Sequence, residues 1–434
     1  MDMANRYFYS AEYMKKSLDA LETALHEVPI YRSWKGLDPG PDTALDLRYA
    51  AMPELTKKAM REHFPQGLVP GGRQVEEGLD RGEIDYTFTS GTTEEKVINL
   101  WNEAWWNASE AASWKLNAHT ARLVYPQKQA KLASALNIGI HSESDLPMSH
   151  RILGNTLYLN EKINVISWCA RHMERMAREL EIFRPVILEA NPSLLARLAW
   201  WAADNGRELY NPGVIVFTYE FPSKIHINAI RKAFGTPMVS SYGSTETGFV
   251  LMQCEDGLFH QNSDFCRIDF HPLRERHGGP LLGRILATTF DNPWASIVRF
   301  DIGDIVRLHP GNTCTCGRNH GLIAESIEGR AANATFTTNG DLVTTMALDD
   351  RLAGIPEIRD YHLEQNGFKE YELQVVLSGR SGDDLERIRQ ALGSLYGQDG
   401  EFTVTVLPDL LPGPSGKYRR TQANFDFDLK GLFE

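Results

Sequence analysis

The chain has 434 residues, with 45 lysines and arginines against 57 aspartates and glutamates, a formal net charge of −12. Hydrophobic residues make up 42%, aromatic residues 10% and charged residues 24%, which is enough to build a core and excludes a largely disordered chain. The acidic surplus also weighs against general binding to nucleic acid, because it repels phosphate backbones.

Residues 1–80 read as helical, with turns at Asp38-Pro-Gly-Pro41 and Pro70-Gly-Gly72. Residues 85–90 read as a short strand from their β-branched and aromatic content. Residues 99–123 read as a helix carrying Trp101, Trp105, Trp106 and Trp114, most of them expected in the core. Beyond residue 133, apolar runs at 185–188, 214–217 and 237–241 alternate with helical segments at 165–180, 193–204 and 223–234. That alternation predicts an α/β sheet with parallel strands. After Phe249, strand-like pieces at 265–270, 283–289, 296–300 and 304–308 predict a β-rich subdomain. A boundary falls near Gly329-Arg330. Beyond it, strands at 360–365, 371–377 and 402–407 and a helix at 383–396 predict a small α+β domain. The expected fold class is α/β: a large N-terminal domain, 1–329, with parallel sheets and a β-rich subdomain, and a small mobile C-terminal α+β domain, 330–434.

No run reaches the roughly 18 consecutive apolar residues of a membrane span. The first residues lack the apolar core of a signal peptide. The cysteines are Cys169, Cys254, Cys266, Cys314 and Cys316, an odd number in no regular framework, which argues against a disulfide-stapled secreted protein. The expectation is a cytoplasmic protein with no membrane and no nucleic-acid partner. A homodimer is left open.

Four segments carry chemistry. Thr87-Phe-Thr-Ser-Gly-Thr-Thr93 ends a strand in a loop of glycine and small hydroxyl residues, whose backbone N–H groups suit phosphate oxygens. Ser240-Ser-Tyr-Gly-Ser-Thr-Glu-Thr-Gly248 feeds a strand into hydroxyls and one carboxylate, Glu246, a natural Mg²⁺ ligand when a nucleotide supplies the other oxygens. Arg299-Phe-Asp-Ile-Gly-Asp304 ends in a carboxylate able to accept from a ribose diol. Pro412-Gly-Pro-Ser-Gly-Lys417 places a lysine on a Gly/Ser-rich loop, able to meet developing negative charge. Each of these in isolation also reads as an ordinary turn or basic loop.

In this order and spacing the segments resemble the adenylate-forming enzymes, the superfamily of acyl-CoA synthetases and nonribosomal adenylation domains. The short length and Cys314-Thr-Cys-Gly-Arg318 look most like the phenylacetate–CoA ligase branch. The resemblance covers nearly the whole chain from Asp85 and is most specific at 242–248 and 415–417. It implies that Ser90, Gly91, Thr92 and Thr93 bind phosphate. It places Tyr242, Gly243 and Ser244 in the turn flanking adenine, Thr245 near phosphate and Glu246 at Mg²⁺. Glu220 would border the adenine and acyl pockets, Asp304 would bind ribose, and Arg330 would mark the domain hinge. Lys417 would stabilise the adenylation transition state, with Glu246 and Thr245 completing the catalytic set. The implied reaction uses ATP and Mg²⁺ to turn a carboxylic acid into an acyl-adenylate, releasing pyrophosphate. Transfer to an acceptor follows: coenzyme A, a carrier-protein thiol or an amine. The tryptophan-rich stretch and residues 133–150 would shape an acyl pocket suited to an aryl or arylacetic acid.

The chain departs from the family at two places. Glu94-Glu95-Lys96 stands where Gly-Lys-Pro is usual, and Ala331-Ala332-Asn333 stands where an aspartate pair is expected. Adenylation is therefore better supported than transfer to coenzyme A, and an amide, ester or nitrogen-activating second step stays open. A binding module without catalysis is the reading from another class. Retention of Glu246, Asp304 and Lys417 together argues against it.

Cys314 and Cys316, with Cys254 and His260 upstream, offer three thiolates and an imidazole, a closed tetrahedral shell for structural Zn²⁺. Members of the phenylacetate–CoA ligase branch carry such a cluster by the same resemblance. His320 is the alternative imidazole. Cys169 and Cys266 are expected in the core.

Overall fold

The structure is a computed structural model, which describes residues 7–88, 97–123, 127–379, 382–413 and 416–433. Its spine is a twelve-stranded sheet. Five strands pair in parallel, in the order Thr156–Tyr158, Gln129–Leu132, Ile187–Ala190, Val214–Phe217 and Met238–Ser244. Val214–Phe217 is buried at every residue, so a continuous apolar run, rather than an alternating one, marked it as a strand.

Helices cover both faces of this parallel half. On one face, Leu188, Ala190, Ile215 and Phe217 pack against Met176 and Leu180 of helix Ala170–Phe183 and Leu194 and Leu198 of helix Pro192–Asp204. On the other, Ile187, Val214, Val216 and Val239 lie under Trp114 of helix Glu103–Trp114. Two caps fix where these helices begin. Asn191 Oδ1 accepts from Leu194 N at 3.1 Å, with Pro192 in the first turn, and Asn102 Oδ1 accepts from Trp105 N at 2.8 Å.

Several expectations are corrected. The pieces after Phe249 do not form a separate sheet. Met238–Ser244 pairs antiparallel with Gly248–Gln253 on its far side, and Phe259–Gln261, Ile323–Arg330, Phe300–Leu308, Leu282–Thr289 and Cys266–Pro272 extend the same sheet. Residues 99–101 are strand, not helix. Ile98–Trp101 pairs with Asp85–Phe88, and the helix starts only after the Asn102 cap. Of its tryptophans, Trp105 and Trp114 are buried, while Trp101 and Trp106 are half-buried. Cys266 is buried as expected, but Cys169 is exposed. The helix begins at Ala170, because the preceding Val165–Ser167 turn is held separately by Asn164.

Beyond Arg330 a second, four-stranded sheet forms. Ile358–Gly367 pairs with Glu370–Leu377, which pairs in parallel with Glu401–Val406, and Thr421–Ala423 adds to the opposite edge. Ile388, Leu392 and Tyr396 of helix Gly382–Tyr396 fill its core. Among the described residues no helix is long and apolar enough to cross a membrane.

Among the contacts that hold this sheet against the large one, two stand out. Arg420 is buried, ion-paired to Asp360, and donates to Ser193 Oγ at 2.7 Å. At the chain's end, Leu432 and Phe433 pack with Leu273, Leu282, Ile305 and Ala331. Arg274 N donates to the Leu432 carbonyl at 3.0 Å, and the Arg284 guanidinium lies 4.7 Å from the Phe433 ring centre.

Removing one partner of a buried ion pair leaves the other charge uncompensated, at about 3–5 kcal/mol. Arg420→Leu is expected to destabilise by about that amount, and adding Asp360→Asn should recover part of the loss. Urea denaturation of the three proteins checks this.

Candidate active site

The turn after Met238–Ser244 is fixed by two glycines. A Cβ on Gly243 would collide with the Gly248 carbonyl, and Gly248 itself adopts φ +66 against Ser109 and Trp105. Ser244 Oγ and Thr247 Oγ1 lie 3.0 Å apart across the turn. The turn holds Thr245 half-buried and Glu246 buried. The Glu246 carboxylate has no hydrogen bond or ion pair among the described residues.

Two adjacent strands bring a second group to this turn. Asp304 and Arg330 are direct register partners. The Tyr242 hydroxyl donates to Asp304 Oδ2 at 2.9 Å, and Arg330 Nε lies 3.3 Å from Asp304 Oδ1. Arg330 Nη1 also donates to the Ile302 carbonyl at 2.6 Å. Burial, and then the Asp304 carboxylate, push the Tyr242 phenol well above its ordinary range, so it stays a donor. Asp304 in turn raises the Arg330 guanidinium, keeping it charged.

The C-terminal sheet delivers Lys417. Burial, and then repulsion from Arg330, lower its ammonium, while Glu220, Asp304 and Glu246 pull the other way. The loop is tied down by Glu220. Its Oε2 accepts from Tyr418 N at 3.3 Å, and its Oε1 accepts from Ser193 N at 3.1 Å and from the Ser193 hydroxyl. The expected residues Glu220, Tyr242, Gly243, Ser244, Thr245, Glu246, Asp304, Arg330 and Lys417 therefore gather around one turn. Ser90, Gly91, Thr92 and Thr93 lie outside the described residues.

One contributor escaped the sequence reading. Lys57 opens helix Lys57–His63 behind its Thr56 cap. Burial and then Arg330 lower its ammonium, and Glu246, Asp304 and Asp301 raise it, so it faces the same carboxylates as Lys417. Nothing in Thr56-Lys-Lys58 distinguishes it from a solvated helix start. The tryptophan-rich stretch supplies a ring cluster. Trp106 packs on Trp101 at 4.3 Å and on Phe249 at 4.9 Å between ring centres, and Trp101 and Trp106 line a cleft with Thr245 and Glu246.

Cys254, His260, Cys314 and Cys316 meet on the far side of Gly248–Gln253, with all four donor atoms within 4.8 Å of one another. In a tetrahedral site with Zn–S bonds of about 2.3 Å, sulfur atoms sit about 3.8 Å apart, and nitrogen–sulfur pairs about 3.6 Å. Cys254 Sγ and Cys314 Sγ are 3.8 Å apart, and His260 Nε2 is 3.4 Å from Cys316 Sγ. Burial lowers the His260 imidazole to about 4, so it is neutral, the form that ligates. The donor set fits zinc. His320 is exposed and packs on Phe8, so it is not the imidazole of the cluster.

By sequence the chain matches no protein-family model and no curated protein. By structure it has the fold of adenylate-forming acyl-CoA ligases. It is similar to 2-hydroxyisobutyryl-CoA ligase in its postadenylation state with R3-HIB-AMP, at a TM-score of 0.73 and 16% identity over 97% of this chain and 91% of that one. Against the same ligase with 2-HIB-AMP and CoA in its thioesterification state, the TM-score is 0.55, at 16% identity over 95% and 88%. The anthranilate CoA ligase AuaEII in complex with anthranoyl-AMP gives 0.53, at 12% identity over 78% and 66%.

Proposed function

We propose that the chain is an AMP-forming carboxylate ligase of the phenylacetate–CoA ligase-like branch. It activates an acid with ATP to the acyl-adenylate, releases pyrophosphate and passes the acyl group to a thiol such as coenzyme A. The observation that carries this reading is the convergence of Glu246, Asp304, Arg330 and Lys417 on one turn from four separate segments, the last delivered by the small sheet.

In this reading residues 1–329 hold ATP and acid, and residues 330–434 are the lid. Tyr242, Gly243 and Ser244 flank adenine. Asp304 keeps lone pairs free for a ribose hydroxyl beyond its bonds to Tyr242 and Arg330. Glu246 and Thr245 face the phosphates, with Mg²⁺ on the Glu246 carboxylate, where the ion supplies charge neutralisation to the phosphate oxygens. Ser90, Gly91, Thr92 and Thr93 complete the phosphate contacts. Lys417 and Lys57 place two ammonium groups where charge grows on the phosphoryl oxygens as the carboxylate attacks. Trp101, Trp106 and Phe249 supply flat apolar walls beside Thr245, suited to a planar acid. Zinc held by Cys254, His260, Cys314 and Cys316 is structural, because four protein donors leave no open position.

An acceptor other than coenzyme A is the second reading. Ala331–Asn333 is a short 3₁₀ turn with no carboxylate where the family turns its lid. Turnover with acid, ATP and coenzyme A alone selects the thiol reading, and turnover only with an amine selects the other.

Acid-dependent exchange of labelled pyrophosphate into ATP reports the first half-reaction without knowledge of the acceptor. Wild type should exchange with one class of acids, and Lys417→Ala should lower the rate at least about 100-fold, as for loss of one preorganised charge-stabilising donor. No exchange with any acid from a broad library would sink the ligase reading. Lys57→Gln should raise the KM for ATP about tenfold or more, the worth of one charge-assisted hydrogen bond. An unchanged KM would remove Lys57 from the site. Elemental analysis of purified protein should find one zinc per chain, and Cys314→Ser should lose it together with several degrees of melting temperature.

A further inference from the structure

The parallel strands carry charge where a core would be apolar. Lys131, Glu189, Val216 and Val239 are register partners on four neighbouring strands. Their side chains therefore point to one face, and Gln129, two residues before Lys131, joins them. This is the face under helix Glu103–Trp114, where Trp114 covers Ile187, Val214, Val216 and Val239. Trp106, Glu110 and Trp114 are spaced by four and form one stripe of that helix. The stripe runs from Trp106, beside Phe249 and the Thr245–Glu246 cleft, to Trp114 over the core. Glu110 stands midway, facing Glu189 and Lys131.

The charges in this stretch do not balance. Glu189 is saturated. It pairs with Lys131 Nζ at 2.8 Å and accepts from Gln129 Nε2 at 2.8 Å, from the Tyr219 hydroxyl at 2.6 Å and from the Thr218 hydroxyl at 3.4 Å. The Glu110 carboxylate has no hydrogen bond or ion pair among the described residues; only its backbone carbonyl accepts, from the Ser113 hydroxyl at 2.7 Å. One ammonium thus stands against two carboxylates. Burial, and then the facing Glu189, push the Glu110 carboxyl up to about 7. A half-buried carboxylate without a partner is costly, and it is relieved by taking up a proton or by pairing with a cation. On this floor Lys131 keeps 25% of its side chain exposed.

The floor and the reaction centre share a turn. Tyr219 sits at φ +75, rare for a residue with a side chain. This places its hydroxyl on Glu189, while the next residue, Glu220, holds the Lys417 loop. Ligands of open α/β sheets lie beyond the carboxyl ends of the strands, the end at which Thr218 and Tyr219 follow Val214–Phe217.

We infer, on the footing of the ligase reading above, that the acid activated here carries a positively charged amino group at the end remote from its carboxylate, bound by Glu110 beside the Glu189–Lys131 pair. The carboxylate end lies toward Thr245 and Lys417, and the aromatic walls of Trp106 and Phe249 flank the middle. Glu110 is then the residue that sets specificity, and Glu189, Lys131 and Tyr219 position it.

The test is pyrophosphate exchange with acids matched in shape and differing in charge: an aminomethyl benzoate against the ethyl benzoic acid of the same outline, and ω-aminohexanoate against heptanoate. The amino member should exchange at least about tenfold faster in kcat/KM, the worth of one charge-assisted pair, and Glu110→Gln should bring the ratio towards one. Equal or better exchange with the neutral members, or a ratio unmoved in Glu110→Gln, overturns the inference and leaves adenylation standing. Should no acid exchange, the same four acids are compared by thermal shift. Stabilisation of wild type but not of Glu110→Gln by the amino members alone keeps the cationic pocket while the ligase reading falls. Equal shifts, or none, overturn both.

Discussion

Everything that faces the proposed reaction centre hangs on one strand with two different neighbours. Met238–Ser244 accepts a parallel partner, Val214–Phe217, along its first half and an antiparallel partner, Gly248–Gln253, along its second. Seven residues are just long enough to do both. The parallel partner ends in Tyr219 and Glu220, which reach the acyl floor and the lysine loop. The antiparallel partner is reached through a turn so tight that two of its positions exclude any Cβ. A change of strand direction leaves a crevice beyond the strand ends, and here the crevice is bounded on both sides by backbone that has no freedom to move.

The electrostatics of the crevice follow from this rigidity. Glu220, Glu246 and Asp304 face Lys57, Arg330 and Lys417 across it. Asp301 adds a further carboxylate facing Lys57 and Arg330. Each lysine is therefore favoured as the ammonium by carboxylates while burial weakens its hold on its proton. On the proposed function such a set would be preorganised: incoming phosphates would replace one group of partners with another and meet little reorganisation.

How far the sequence discloses this depends on what each residue answers to. Strands buried on both faces were legible as unbroken apolar runs. Glu246, Asp304 and Lys417 were singled out because each lies close to a glycine in a segment whose spacing is distinctive. Lys57 was not, because its role comes from a helix end carried to the crevice by long-range packing. Glu110, Lys131 and Glu189 were illegible for a related reason. They lie far apart in the chain, and only the register of two strands and the phase of one helix put them together. Asn99–Trp101 misled because tryptophans at helical spacing ran on into the true helix. Only the cap at Asn102 separates strand from helix. Cys254, His260, Cys314 and Cys316 were readable as ligand types, and hairpin pairing brings the distant halves into one shell.

The chain's last residues give the small sheet a second attachment. The backbone enters it at Arg330 and returns from it at Leu432 and Phe433, and both crossings lie in one apolar cluster with Leu273, Leu282, Ile305 and Ala331. A body hung on one flexible strand can swing and also drift. A body pinned where its chain both enters and leaves can only turn about that pin. If the small sheet moves as the proposed lid must, it would turn like a door about this cluster, and the Arg420 contact to Ser193 would be a latch to release.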